Sequence, residues 1–213
     1  MYLCISESNK FLSNNLKKMK KQLAIFASGT GSNTINIINY FKNNPDVEVA
    51  MVLSNNADAP VLESAEKLGV PSLAFDREDF KDESGSVYEA LKNTQPNLII
   101  LAGFLWKFPE FLIERFPGII INIHPSLLPK FGGKGMYGSR VHQAVLENNE
   151  KKTGITIHWV NEHYDLGKVI FQTSIKVEKD DTVESLQQKI HELEHEKFPV
   201  VIEQILNGEI ING

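Results

Sequence analysis

The stretch that most constrains this chain is LAIFAS-GTGSN-TINIINYFKNN, residues 23 to 44. A β-favouring run (Leu23 to Ser28) passes over a glycine turn straight into a segment whose apolar residues recur at helical spacing. The alternation continues, because VEVAMVLS (47–54), VPSLAF (70–75) and NLIILAG (97–103) are short β-rich runs separated by helix-length segments such as APVLESAEKLG (59–69). Such alternation builds a parallel sheet with helices on both faces. The expected class is α/β, with a Rossmann-like, mostly parallel sheet.

Beyond Gly118 the pattern changes. GIIINIHP (118–125), GITIHWV (154–160) and KVIFQTSIKV (168–177) are strand-like, and only SRVHQAVLENN (139–149) between the first two has helical spacing. These later strands are expected to run antiparallel and make the sheet mixed. Residues 181–206 predict a long helix, with Asp181 or Thr182 as N-cap and Pro199 able to bend or divide it.

Composition bounds the function. The chain has 213 residues, enough for one well-filled core, and no repeat or low-complexity linker marks a second domain. Residues 1–20 are expected to be an N-terminal extension, with Met19 as an alternative start, and 21–213 a single domain. A net charge of −5 argues against a general nucleic-acid binder, since phosphate contacts need clustered Lys and Arg. Cys4 is the only cysteine, which excludes a disulfide framework and a thiolate zinc site. No apolar run is long enough to span a bilayer, and the first residues lack a signal peptide's apolar core. A cytoplasmic protein without nucleic-acid or membrane partners is expected.

Three constellations carry chemistry. Ser28 to Asn33 (SGTGSN) lies where a strand gives way to a helix, and helix N–H groups at such an end bind anions. Ser32 and Asn33 can add side-chain hydrogen bonds or cap the helix, so an ordinary tight turn fits the same residues. The run lacks a dinucleotide fingerprint and a Gly-Lys-Ser/Thr ending, which leaves a phosphate monoester as the anion. In Ile119 to Pro129, strand alternation puts Asn122 and His124 on one face, roughly 7 Å apart. Pro125 and Pro129 end the strand, so the two polar groups are expected at a strand end or sheet edge, outside the core. An asparagine amide and an imidazolium aimed at one carbonyl oxygen form an oxyanion hole for acyl transfer. A Ser126–His124 hydrolase pair is the competing chemistry, weakened by the absence of nucleophile-elbow glycines, and a structural histidine is the plain alternative. Asp165, in NEHYDLG, is the acid expected to lie near His124 and raise its pKa, with Glu162 a solvated charge. His158, His163 and Asp165 form an imaginable metal set, but no familiar metal-ligand spacing is present.

Taken in order, SGTGSN, LAGFLWKFP (101–109), NIHPSLLPKF (122–131) and HYDLGKVIFQ (163–172) resemble the phosphoribosylglycinamide formyltransferases, folate-dependent enzymes of purine synthesis. The resemblance spans Leu23 to about Leu206. It implies a formyltransferase fold, small-molecule substrates, 10-formyltetrahydrofolate as co-substrate, no metal, and a monomer or homodimer. It also implies catalytic roles for Asn122, His124 and Asp165, and a phosphate grip by Gly31, Ser32 and Asn33. Folate contacts from Arg77, Leu105, Trp106, Lys107, Phe108 and Asn122 follow from it, with Glu194 near the substrate's amine. The chain departs from the family pattern in a longer 131–139 loop, in Leu105-Trp106-Lys107, and in Leu166 and Lys168 around Asp165. Three other functions remain to be distinguished. A formyltetrahydrofolate hydrolase is expected to carry an added N-terminal regulatory domain, for which about eighteen residues are too few. Formyltransferases acting on initiator tRNA or amino sugars lack this phosphate loop and carry larger C-terminal modules. A non-catalytic phosphometabolite-binding module would not need the Asn122, His124, Asp165 trio.

Overall fold

A computed structural model describes residues 19–211, so most of the expected N-terminal extension falls outside the described residues. The elements run β1 (Lys21–Phe26), α1 (Ser32–Phe41), β2 (Val47–Ser54), α2 (Pro60–Lys67), β3 (Ser72–Ala74), a 3-10 turn (Asp79–Lys81), α3 (Ser86–Thr94) and β4 (Leu98–Leu101). They continue with α4 (Glu110–Arg115), β5 (Ile120–His124), α5 (Ser139–Glu147), β6 (Lys152–Trp159), β7 (Val169–Lys176) and α6 (Val183–Leu206).

The strands form one sheet in the order β3-β2-β1-β4-β5-β6-β7. β1 to β5 pair in parallel, whereas β6 runs antiparallel to β5 and β7 antiparallel to β6; the sheet is mixed as expected, but the strand after Gly118, β5, is still parallel and the reversal begins with β6. The central strands are apolar throughout because both their faces are covered. Leu23, Ile25, Ile100 and Ile121 pack under α1, α2 and α6. Ala24, Phe26, Ile99 and Ile120 pack under α3 and α4. Burying each such large side chain contributes about 1.5–3 kcal/mol. β7, at the edge, keeps an alternation of exposed and half-buried residues.

α6 is one continuous helix of 24 residues, so Pro199 does not divide it. The reason is a contact from another helix. Proline cannot donate to the carbonyl four residues back, that of His195, and Asn36 Nδ2 donates to this oxygen instead at 2.8 Å. The N-cap is Thr182, whose side chain accepts the Ser185 N–H while the Ser185 hydroxyl accepts the Thr182 N–H.

After β3 the chain crosses to the other side of β1 and continues as β4. The order therefore reverses between β1 and β4, and ligands of open α/β sheets bind beyond the carboxyl ends of strands at such a point.

Candidate active site

Three chain segments leave the carboxyl ends of β1, β4 and β5 side by side, and together they build the site. From β1 the chain turns through Ser28 to Gly31 into α1. Gly31 adopts φ 71°, and a Cβ there would collide with Val61 of α2, so only glycine allows this turn. Neither Ser32 nor Asn33 caps the helix, and its first turn carries no acid, which leaves N–H groups for an anion. Asn33 Nδ2 instead donates to Glu194 Oε2 on α6 at 2.8 Å, while Asn33 Oδ1 has no partner. Glu194 is 5% exposed, and burial pushes its carboxyl up to about 7 against the opposing pull of the Asn33 amide. The Ser28 hydroxyl donates to Asn55 Oδ1 at 2.6 Å and accepts the Leu105 N–H at 3.0 Å, tying this turn to the segment after β4.

β5 delivers Asn122 and His124 on one face, as alternation predicts, and Asp165 meets both. Asn122 Nδ2 lies 3.3 Å from Asp165 Oδ1, and His124 Nδ1 lies 3.5 Å from Asp165 Oδ2. The second His124 nitrogen, Nε2, donates to the Phe131 carbonyl at 2.7 Å. The backbone N–H of Gly133 donates to Asp165 Oδ2 at 2.8 Å. Asp165 itself takes φ 55°, a left-handed conformation uncommon outside glycine and found at functional sites. Gly167, two residues on, lies so close to the Trp159 carbonyl that no side chain fits there. The loop can thus pass β6 closely enough to present the carboxylate.

Two expectations change. His124 is at the strand end, yet β5 is an interior strand and the ring is 4% exposed, so it does not stand outside the core. Its pKa is lowered, not raised: burial outweighs the favourable charge of Asp165 and the Phe131 carbonyl. The anion's effect is present but desolvation is larger. On Asp165, burial pushes the carboxyl up, while His124 and the Gly133 N–H pull the other way, and it ends lowered.

The segment after β4 contributes an apolar wall. Phe104, Trp106 and Phe108 pack with Phe80, and the Arg77 guanidinium sits 4.9 Å from the Trp106 ring centroid. Phe108 is buried, Leu105 is exposed, and Lys107 is paired with Glu110 at 3.3 Å. The 131–139 loop turns on left-handed residues, Phe131, Gly133, Gly135 and Gly138, and lies along the same space.

Every site residue expected from the sequence lines one cavity of about 1240 Å³: Gly31, Ser32, Asn33, Arg77, Leu105 to Phe108, Asn122, His124, Asp165 and Glu194. That exceeds the roughly 300–1,000 Å³ typical of a single ligand pocket and suits two substrates side by side. Its lining carries Arg77, Lys81, Lys107, Lys134 and Arg140 against Glu110, Asp165 and Glu194, so it favours anions although the chain as a whole is acidic.

His158 has a role that its residue type alone does not reveal. Its Nδ1 donates to the Trp159 carbonyl at 2.9 Å, which leaves Nε2 to accept from Asn122 Nδ2 at 3.1 Å and fixes the amide's orientation. The antiparallel register of β5 and β6 opposes these two residues, a pairing invisible in local sequence. His163, by contrast, faces Glu162 at the surface, and no cluster of metal-ligating side chains forms among the described residues. Ser126 Oγ donates to the Lys130 carbonyl at 2.6 Å and stabilises the turn after β5, so the hydrolase pairing with His124 finds no support. No helix among the described residues is long and apolar enough to cross a membrane.

Comparison with known proteins agrees with this geometry. The formyl transferase family model matches residues 21–202. The phosphoribosylglycinamide formyltransferase of Bacillus subtilis is 38% identical over 190 residues, covering 87% of this chain and 95% of the relative. The chloroplastic phosphoribosylglycinamide formyltransferase of Arabidopsis thaliana is 36% identical, over 90% of this chain and 67% of its own length. Among solved structures, glycinamide ribonucleotide transformylase 1 from Symbiobacterium toebii superposes with a TM-score of 0.82 at 31% identity, covering 91% of each chain. With a glycine turn at the switch point, an Asn-x-His strand end backed by an aspartate, and these relatives over nearly its whole length, the chain belongs to the formyl transferase family, in its phosphoribosylglycinamide formyltransferase group.

Proposed function

We propose that this enzyme transfers the formyl group of 10-formyltetrahydrofolate to the amine of phosphoribosylglycinamide, a step of purine biosynthesis, in the cytoplasm. The observation that carries the reading is the convergence of Asn122, His124 and Asp165, within 3.5 Å contacts, in a cavity that also holds an open helix N-terminus and an aromatic wall. The helix end at Gly31 to Asn33 receives the phosphate, and Glu194 lies near the amine. Trp106, Phe108, Leu105 and Lys107, with Arg77 on the Trp106 face, receive the folate.

The amine attacks the formyl carbon, a new C–N bond forms, and negative charge develops on the formyl oxygen. An Asn122 N–H and the His124 ring stabilise that oxygen. The charge arriving beside His124 raises the ring's proton affinity at the moment a proton is useful, and Asp165 supports the cation. The bond from carbon to the folate nitrogen then breaks, and that nitrogen takes up the proton which the amine gives up, directly or through His124. The remote phosphate contributes by holding the amine near the carbon.

The test is to follow folate product absorbance with 10-formyltetrahydrofolate, with and without the ribonucleotide. Product only in its presence is expected. Product in both would make the enzyme a hydrolase, and product in neither would make the chain a binding module.

A further inference from the structure

His142 lies on the first turn of α5, the helix that follows the 131–139 loop in the chain, and lines the cavity. It is 2% exposed, and its Nδ1 is buried without a hydrogen-bond partner among the described residues. The other buried ionisable side chains that line the cavity are engaged: His124 with Phe131 and Glu194 with Asn33. A buried N–H without an acceptor is costly, so the sealed Nδ1 carries no proton and the ring's N–H sits on Nε2. With Nδ1 sealed beneath the surface, Nε2 is the polar atom the ring can offer to a ligand. α5 packs on α6, the helix that carries His191 and Glu194. Burial, with the charges of His191 and His124 adding to it, pulls its pKa down to about 4. At working pH it is therefore a neutral imidazole with one ring nitrogen, Nε2, to offer, suited to a hydroxyl or an amide and unsuited to holding a phosphate.

We infer that His142 contacts the phosphorylated substrate, hydrogen-bonding a hydroxyl or amide group that lies between its phosphate and its reacting amine. The placement follows from the neighbours: His124 is at the reacting centre, and α6 carries Glu194, which Asn33 links to the phosphate turn. The inference rests on the proposed reaction and adds a specificity residue outside the Asn122, His124, Asp165 trio.

Steady-state kinetics of wild type, H142Q and H142F test it, with H142L as a second apolar replacement should H142F fold poorly. H142F or H142L is expected to raise KM for the ribonucleotide about five- to tenfold, the scale of one neutral hydrogen bond, with KM for the formyl folate and kcat little changed. H142Q, which keeps a donor and an acceptor, is expected to stay within about twofold of wild type. An active wild type with an unchanged ribonucleotide KM in the apolar variants overturns the inference alone. Equal losses in H142Q and the apolar variants, with lowered thermal midpoints, would make the histidine a packing element and also overturn it. A wild type inert toward the ribonucleotide removes the parent reading and this inference with it.

Discussion

Glu194→Gln is expected to make the protein more stable than wild type, by a margin that grows with pH. Glu194 is 5% exposed, and among the described residues its side chain is hydrogen-bonded to Asn33 at 2.8 Å. Its pKa stands at about 7 in the fold against an ordinary 4.5. The folded value lies above the unfolded one, so the carboxyl's stabilising contribution is full below about 4.5 and is lost as pH rises to about 7. A shift of that size corresponds to about 3 kcal/mol in total. Between pH 5 and pH 8 the wild type should lose about 2.5 kcal/mol relative to the variant, because part of the loss is already complete at pH 5. Glutamine retains an acceptor for Asn33 and has nothing to ionise. Urea unfolding of both proteins across this range reads the difference directly, and groups that titrate alike in both cancel. A chain of this size should show the same effect as about 5–10 °C in relative melting midpoint. A wild-type-minus-variant difference that stays flat from pH 5 to pH 8 would show that the carboxyl ionises normally and that burial is not what sets its state.

Asn122→Ala and His124→Ala should each lower kcat about a hundredfold with smaller changes in KM, as steady-state assays would show, because in the proposed mechanism each removes a donor to the developing oxyanion. Asp165→Asn removes the anion that favours protonated His124, so the alkaline fall of kcat should move to lower pH, as a pH–rate profile would reveal. Ser32→Ala and Asn33→Ala should mainly raise KM for the ribonucleotide, with kcat near wild type. The ribonucleotide's KM should also change across the titration of Glu194 near pH 7 in wild type and remain level in Glu194→Gln.

The residues that could be found from sequence are those whose role follows from local periodicity or turn chemistry. The glycine turn before α1, the shared face of Asn122 and His124, and the change from regular strand–helix alternation to successive strands late in the chain are short-range patterns. What escaped depends on register and on desolvation. The opposition of Asn122 and His158 is fixed by how β6 docks on β5. Pro199 is tolerated because Asn36, on another helix, donates to the carbonyl that proline cannot reach. That Asp165 should hold His124 protonated is a pairwise argument that omits burial, and burial is the larger influence.

These hydrogen bonds also bear on how the chemistry proceeds. Both N–H groups of the Asn122 amide are directed at protein acceptors, His158 Nε2 at 3.1 Å and Asp165 Oδ1 at 3.3 Å. Both His124 nitrogens likewise face protein oxygens, at 2.7 Å and 3.5 Å. Neither side chain has a donor to spare, so stabilising a new oxyanion requires one internal contact to be exchanged for the substrate oxygen. For Asn122 the longer 3.3 Å contact to Asp165 is the cheaper to give up, since His158 holds the other N–H more closely. For His124 the Phe131 carbonyl is the partner to displace, because Asp165 supports the ring's positive charge and a carbonyl supplies only a dipole. Phe131 opens the 131–139 loop at φ 56°, so the exchange couples the reacting centre to the segment that departs from the family pattern. Replacing Phe131 by glycine, which relieves the left-handed strain, should loosen that carbonyl and change kcat more than either KM. Kinetics in which both KM values rise and kcat holds would place the loop's contribution in binding and leave His124 already free to act.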